Sequence, residues 1–120
     1  IQISYEILLP EKISINTTDL SSIFFILLDN AIEACSASGN PDPEIRLSAN
    51  ISNGFLTVYM HNTKNPMQTF THKTTKSEPG SHGYGLYIIE DICQRYNGSY
   101  QWIDHNDTFD SIVLLQIKNL

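Results

Sequence analysis

Apolar positions recur along this chain in two rhythms. From Ile1 to Leu8 they alternate loosely with polar residues, the period of a half-buried strand, and Pro10 ends the run. Lys12 to Ile15 reads as a second short extended piece. Asn16, Thr17, Thr18 and Asp19 then offer N-cap residues for a helix that begins near Leu20 and runs to about Ala37, where Gly39-Asn40-Pro41 closes it. Two alternating runs follow, Glu44 to Ile51 and Phe55 to His61, joined by Ser52-Asn53-Gly54. Asn-Gly between alternating runs is the strongest short-range hairpin signal. A second amphipathic helix follows Gly85-Leu86 and extends to about Tyr96, with Leu86, Ile89, Cys93 and Tyr96 as its inner stripe and Asn97-Gly98 as its cap. Ser99 to Asp104 and Phe109 to Lys118 form a closing hairpin through His105-Asn106-Asp107. This pattern predicts an α+β fold: a two-layer α/β sandwich of two main helices on one face of a mixed, mostly antiparallel sheet of five or six strands. The other sheet face is left open or covered by a partner.

The first helix has the apolar richness of a buried element, yet Asp29, Asn30 and Glu33 interrupt Phe24-Phe25-Ile26-Leu27-Leu28-Asp29-Asn30-Ala31-Ile32-Glu33-Ala34-Cys35. Residues three and four apart share a helix face, so Asn30 and Asp29 both lie beside Glu33. A polar group turned to the core needs a partner, since burying it unpaired costs roughly 1–3 kcal/mol on protein mutational scales. Two readings stand at this point: the solvated edge of an ordinary amphipathic helix, or an edge that faces a ligand.

Asn62 to His82 has little apolar periodicity and carries Pro66, Pro79, three lysines and five threonines. Such a long irregular stretch inside a compact domain is uncommon and is usually a functional lid or a disordered segment. It ends in Gly80-Ser81-His82-Gly83-Tyr84-Gly85-Leu86. Gly80, Gly83 and Gly85 permit left-handed dihedrals and a close approach of backbone to ligand. The helix that starts there turns unpaired N–H groups and its positive dipole end outward, which suits a phosphate. Glycines also open many helices for backbone reasons alone. The order G-x-x-G-x-G, without a parallel strand-turn-helix unit around it, is not a dinucleotide fingerprint, and a Walker-type G-K-[ST] is absent. Lys73 and Lys76 stand directly before the glycines, either as solvated loop charges or as phosphate partners.

A length of 120 residues suits one domain, read here as spanning the whole chain, and the 41% apolar content suffices for a globular core. No segment approaches the ~20 apolar residues of a membrane span. The chain opens at Ile1 in a strand-like pattern, with neither Met nor a signal peptide, and reads as a domain cut from a longer protein. A net charge of −6 argues against a nucleic-acid or anionic-membrane surface but not against a small anion held by amides and a lysine. Cys35 and Cys93, far apart and without zinc spacing, read as buried reduced thiols.

Taken together, Leu28-Asp29-Asn30-Ala31-Ile32-Glu33-Ala34, a polar strand end at Asn62, a lid bearing threonine and lysine, and His82-Gly83-Tyr84-Gly85-Leu86 resemble the ATP-binding catalytic domain of sensor histidine kinases. This is the GHKL (Bergerat) ATPase fold, and the likeness is nearer to the peptide-sensing, quorum-sensing-type subgroup, whose asparagine helix reads L-D-N-A-I-E-A and whose Asp-x-Gly-x-Gly motif is missing. The wider superfamily includes type II topoisomerases, a heat-shock chaperone, mismatch-repair ATPases and anti-sigma-factor kinases. The resemblance implies ATP and Mg²⁺ as ligands, with Asn30 holding the metal between the phosphates and Asn62 standing where an aspartate accepts a hydrogen bond from the adenine amino group. Glu33 either holds a metal-bound water or is a surface residue. Gly83, Gly85 and Leu86 match the second glycine box and Gly80 its upstream hinge, while Lys73 and Lys76 lie beside the phosphates. Asn30, Glu33 and Lys76 are the residues placed in the catalytic role. Tyr84, in a slot often held by Leu, either covers the nucleotide or packs in the core. Ile26 replaces a polar residue of many relatives.

Kinases of this type pass the γ-phosphoryl group to a histidine on a separate helical domain. None of His61, His72, His82 and His105 lies in a helix followed by an acidic residue, so the acceptor is expected upstream, and all four read as structural or surface residues. The implied setting is the cytoplasmic domain of a membrane-anchored, homodimeric bacterial sensor that works with a response regulator. The rival expectations are a degenerate scaffold that binds nucleotide weakly or not at all, and a stand-alone ATPase or anti-sigma-type serine kinase.

Overall fold

The computed structural model describes residues 1–70 and 83–118, with the side chain of Tyr84 outside that description. The elements run β1 (Gln2–Leu8), α1 (Thr17–Ser36), β2 (Glu44–Ser52), β3 (Phe55–Thr63), α2 (Gly83–Arg95), β4 (Ser99–Asp104) and β5 (Thr108–Gln116). The strands form one sheet in the order β1-β2-β3-β5-β4. β1 runs parallel to β2, and every other pairing is antiparallel. The expected α+β sandwich is therefore present. Lys12 to Ile15 is not a strand; Ile15 instead drops its side chain into the core, and Ser14 Oγ accepts from the Lys118 N–H at 2.9 Å.

Local chemistry sets most boundaries. Asn16 is the N-cap of α1, its Oδ1 accepting from the Thr18 N–H at 2.7 Å, so the helix starts at Thr17 rather than near Leu20. Asn53 and Gly54 take φ of 55° and 80°, the two left-handed positions of a tight hairpin, and they register β2 on β3 from Ser52↔Phe55 to Ile45↔Asn62. α2 ends with Asn97 in the left-handed region (φ 51°), while the Gly98 N–H reaches back to the Cys93 carbonyl at 2.8 Å.

Alternation decides which sheet face carries the helices. Leu56, Val58 and Met60 of β3 and Val113 and Leu115 of β5 are buried, and they meet Ile23, Leu27, Ala31 and Cys35 of α1 and Ile89, Ile92 and Cys93 of α2. α1 lies over β3 and β2, and α2 over β4 and β5. Neither covers β1, which is exposed at every position.

At the end where α1 begins, the two helices are tied by charge. Asp19 accepts two hydrogen bonds from the Arg95 guanidinium, at 2.9 and 3.0 Å, and one from the Tyr96 hydroxyl at 2.6 Å. The Arg95 bonds, then the Tyr96 bond, hold the Asp19 carboxyl below its usual value of 3.8 against the effect of burial. A depressed carboxylate stabilises the fold above its unfolded pKa, and that contribution is lost as pH falls through the folded value. Asp19→Asn is accordingly expected to lower the melting temperature by a few degrees at neutral pH, with the gap to the parent closing below about pH 4. Thermal melts across pH check this; a gap that widens in acid would contradict it.

Candidate functional site

The sheet-facing stripe of α1 fixes where its polar residues point. Ile23, Leu27, Ala31 and Cys35 are buried at four-residue spacing, so Ile26 and Asn30 form the neighbouring stripe, and Glu33, which is exposed, lies further round. Asn30 is half-buried, and its amide makes no hydrogen bond among the described residues. A methyl group built on Gly85 would stand 2.6 Å from Ile26 Cγ2. The first turn of α2 therefore presses on α1 one turn before Asn30, so the N-terminal end of α2 lies beside the stripe that carries this asparagine.

That contact corrects one expectation. Gly83 and Gly85 lie inside the first turn of α2 rather than in a loop before it, and Gly85 is not in the left-handed region. Gly85 is needed for close approach to Ile26, which also explains an apolar residue at position 26. Gly85→Ala should cost about 1–3 kcal/mol through overpacking. Since Ile26→Ala removes the clashing methyl, the double variant should recover part of that loss. Denaturant unfolding of the two single variants and the double variant measures the coupling, and strictly additive losses would sink the explanation.

Asn62 sits on the helix-facing side of β3, one residue before the strand ends, and is 4% exposed. Its Nδ2 donates to the Thr63 carbonyl at 3.1 Å, which fixes the amide's orientation, and among the described residues nothing donates to its Oδ1. Nearby, Thr63 Oγ1 accepts from the Glu44 N–H at 3.1 Å, and the Cys35 thiol of α1 reaches the Glu44 carbonyl at 3.5 Å. Asn62 thus faces the same end of the helix layer as the C-terminal half of α1. An acceptor buried without a donor is costly unless a ligand supplies one.

Lys64, buried and unremarked in the sequence, is the signal that reading the chain alone passed over. Its Nζ donates to the carbonyls of Asn65 (3.1 Å) and Asn106 (2.9 Å) and pairs with Asp104 at 3.3 Å, while its own N–H binds the Asp107 carbonyl. Asp104 accepts the Phe70 N–H at 3.1 Å, and the Phe70 ring packs on Phe109 with centroids 4.7 Å apart. Burial alone would raise the Asp104 carboxyl, but the Asn106 and Phe70 amides and Lys64 outweigh it and lower it. The chain leaving β3 is stapled in this way to the turn between β4 and β5. His72, Lys73, Lys76, Gly80 and His82 lie outside the described residues.

On the opposite sheet face Asp110 gathers His61, His105 (3.1 Å) and the Tyr59 hydroxyl (3.0 Å), so both described histidines serve as hydrogen-bond partners within the fold. Burial pushes the Cys93 thiol up to about 11 and raises that of Cys35, which keeps both protonated at neutral pH. No group of three or more His, Cys, Asp or Glu side chains able to hold a metal occurs among the described residues. Mg²⁺ bound with phosphates needs only one or two protein oxygens, and the unpaired Asn30 amide fits that demand. No helix among the described residues is long and apolar enough to cross a membrane.

The profile of the GHKL domain family matches residues 15–119. No characterised protein in the curated collection matches the chain significantly in sequence. Among solved structures, the catalytic domain of histidine kinase ThkA superposes with a TM-score of 0.72 at 17% identity, over 96% of this chain and 77% of that one. Histidine kinase AdeS of Acinetobacter baumannii gives 0.65 at 14% identity, over 98% of this chain and 56% of that one. Full-length ShkA in complex with AMPPNP gives 0.68 at 13% identity, over 99% of this chain but 26% of that one. At these identities the likeness is one of fold.

Proposed function

The chain belongs to the GHKL domain family, and from that premise we propose that it binds ATP with Mg²⁺ and presents the γ-phosphate for transfer to a histidine on a separate helical dimerisation and phosphoacceptor domain. The observation that carries the reading is Asn62: a buried amide on the helix-facing side of β3, one of whose two N–H groups binds a backbone carbonyl while nothing among the described residues donates to its Oδ1. Adenine offers an amino donor to such an oxygen, whereas guanine presents a carbonyl oxygen that only the amide's remaining N–H could meet, leaving Oδ1 unpaired. ShkA, of the same fold, was solved with AMPPNP.

In this reading Asn30 lends its amide oxygen to Mg²⁺ without adding negative charge beside the triphosphate. The metal, when bound, offsets charge on the phosphoryl oxygens. The first-turn N–H groups of α2, from Gly83 through Gly85 and Leu86, meet the phosphates. Glu33, exposed one turn beyond Asn30, takes the role of holding a metal-bound water from the family resemblance. Lys73, Lys76, Gly80 and Tyr84 take their assignments from the family resemblance: Lys73 and Lys76 beside the phosphates, Gly80 as hinge, Tyr84 over the nucleotide. The domain's contribution to transfer is positioning and charge stabilisation. The partners would be the upstream helical domain of the same polypeptide and a response regulator, with the whole protein a membrane-anchored dimer and this domain in the cytoplasm.

Asn62→Leu should weaken ATP binding about 5- to 100-fold, the worth of one buried hydrogen bond with its unpaired remainder, and should erase the preference over GTP. Asn62→Asp, which keeps an acceptor, should retain that preference. Competitive titrations with both nucleotides measure this. Equal selectivity in the parent and the leucine variant would remove Asn62 from the base site.

A further inference from the structure

The parallel edge strand β1 departs from how sheets are usually finished. Parallel strands are generally covered on both faces, and natural edges are guarded by lysine, proline or a bulge. β1 is exposed throughout, and from Gln2 to Leu8 its only charge is Glu6. On the helix-side face stand Ile3, Tyr5 and Ile7, aligned with Ile45, Leu47 and Ala49 of β2 and exposed at 51%, 74% and 44%.

The free backbone groups can be assigned. The Gln2 N–H donates to the Pro43 carbonyl at 3.0 Å, so the even residues of β1 bond to β2 and the N–H and C=O groups of Ile1, Ile3, Tyr5 and Ile7 point away from the sheet. The same odd residues carry the exposed apolar side chains. We propose that this edge is a self-association surface, on which a second copy of the chain pairs β1 antiparallel to β1 about a two-fold axis at Ser4.

Self-complementarity selects the second copy as occupant. An antiparallel pairing about Ser4 sets Ile1 opposite Ile7 of the second copy and Ile3 opposite its Tyr5, and the reverse. Every odd residue then gives and receives one main-chain hydrogen bond. On the other face Glu6 meets Gln2 of the second copy and Ser4 meets Ser4, so no like charges face each other across the join. One strand pair buries less than the ~1,200 Å² of a standard interface, so the association is weak and concentration-dependent. It does not depend on nucleotide binding.

Sedimentation velocity of the full chain from micromolar to millimolar concentration tests the proposal, together with hydrogen exchange at both ends of the series. The expected result is a shift from monomer to dimer in which the Ile3, Tyr5 and Ile7 amides gain protection, while those of Ser4 and Glu6 are protected throughout. Tyr5→Lys, at an exposed position that leaves the pairing with β2 intact, should return the chain to monomer. A chain that stays monomeric at millimolar concentration overturns the proposal, as does a dimer unchanged by Tyr5→Lys. Odd-residue amides already protected in the monomer would show the edge covered by another part of the same polypeptide, which also overturns it.

Discussion

Replacing Asn30 by alanine is expected to remove the Mg²⁺-dependent part of nucleotide affinity, a loss of roughly 10- to 100-fold, without changing the melting temperature by more than a degree or two. Loss of a hydrogen bond or ligand contact to a charged group is worth about 1.5–3 kcal/mol, which sets that range. The fold should not notice, because the Asn30 amide makes no hydrogen bond among the described residues and lies beside the buried stripe of α1 rather than on it. Alanine also has the higher helix propensity. Titration with and without Mg²⁺ separates the two effects: a variant weakened equally in both conditions has lost a phosphate or base contact, and one weakened in neither has lost nothing that binds. Either result would withdraw the metal role from Asn30.

The largest loss of stability is expected at Gly98. A methyl group built there would stand 1.9 Å from the Leu114 carbonyl oxygen, 3.0 Å from the Leu114 carbonyl carbon and 3.2 Å from the Leu115 Cα, all backbone atoms of β5. No rotamer change relieves such a clash. Either β5 moves, disturbing Leu115 in the core and the pairing of Leu114 with Ser99 and Thr57, or the end of α2 lifts off. Gly98→Ala should therefore cost about 3–5 kcal/mol, the range reserved for mutations that break packing or backbone geometry. Asn97→Ala should cost only about 1–2 kcal/mol, the penalty of an ordinary residue in the left-handed region. Urea unfolding of both variants ranks them. A Gly98→Ala protein as stable as the parent would mean that α2 and β5 do not meet as described.

The glycines show where reading the sequence stops. Asn53-Gly54 and Asn97-Gly98 announced a hairpin and a helix end because turn chemistry is local and needs only neighbouring residues. α1 and the closing hairpin were legible for the same reason, through period and caps. What Gly85 does was not legible, since its constraint is Ile26, 59 residues away and on another helix. Lys64 read as one more loop lysine because the carbonyl of Asn106 and the carboxylate of Asp104 that receive it come from a distant turn. Lys12 to Ile15 had strand-like composition, but Ile15 turns into the core and Ser14 Oγ binds the Lys118 N–H, long-range contacts that its neighbours do not announce. The parallel pairing of β1 was equally hidden, as only the crossover through α1 decides it. In the candidate site, Asn30 and Asn62 were visible as polar residues in apolar runs. The amide orientation that makes Asn62 an acceptor depends on Thr63 in its folded conformation.

If the fold holds Mg·ATP as proposed, calorimetric titration of the chain with ADP and a non-hydrolysable ATP analogue, each with and without Mg²⁺, will show micromolar binding that requires Mg²⁺ and little heat from GTP. Absence of binding by any of these nucleotides at millimolar concentration would contradict it and leave a scaffold whose glycines serve packing alone.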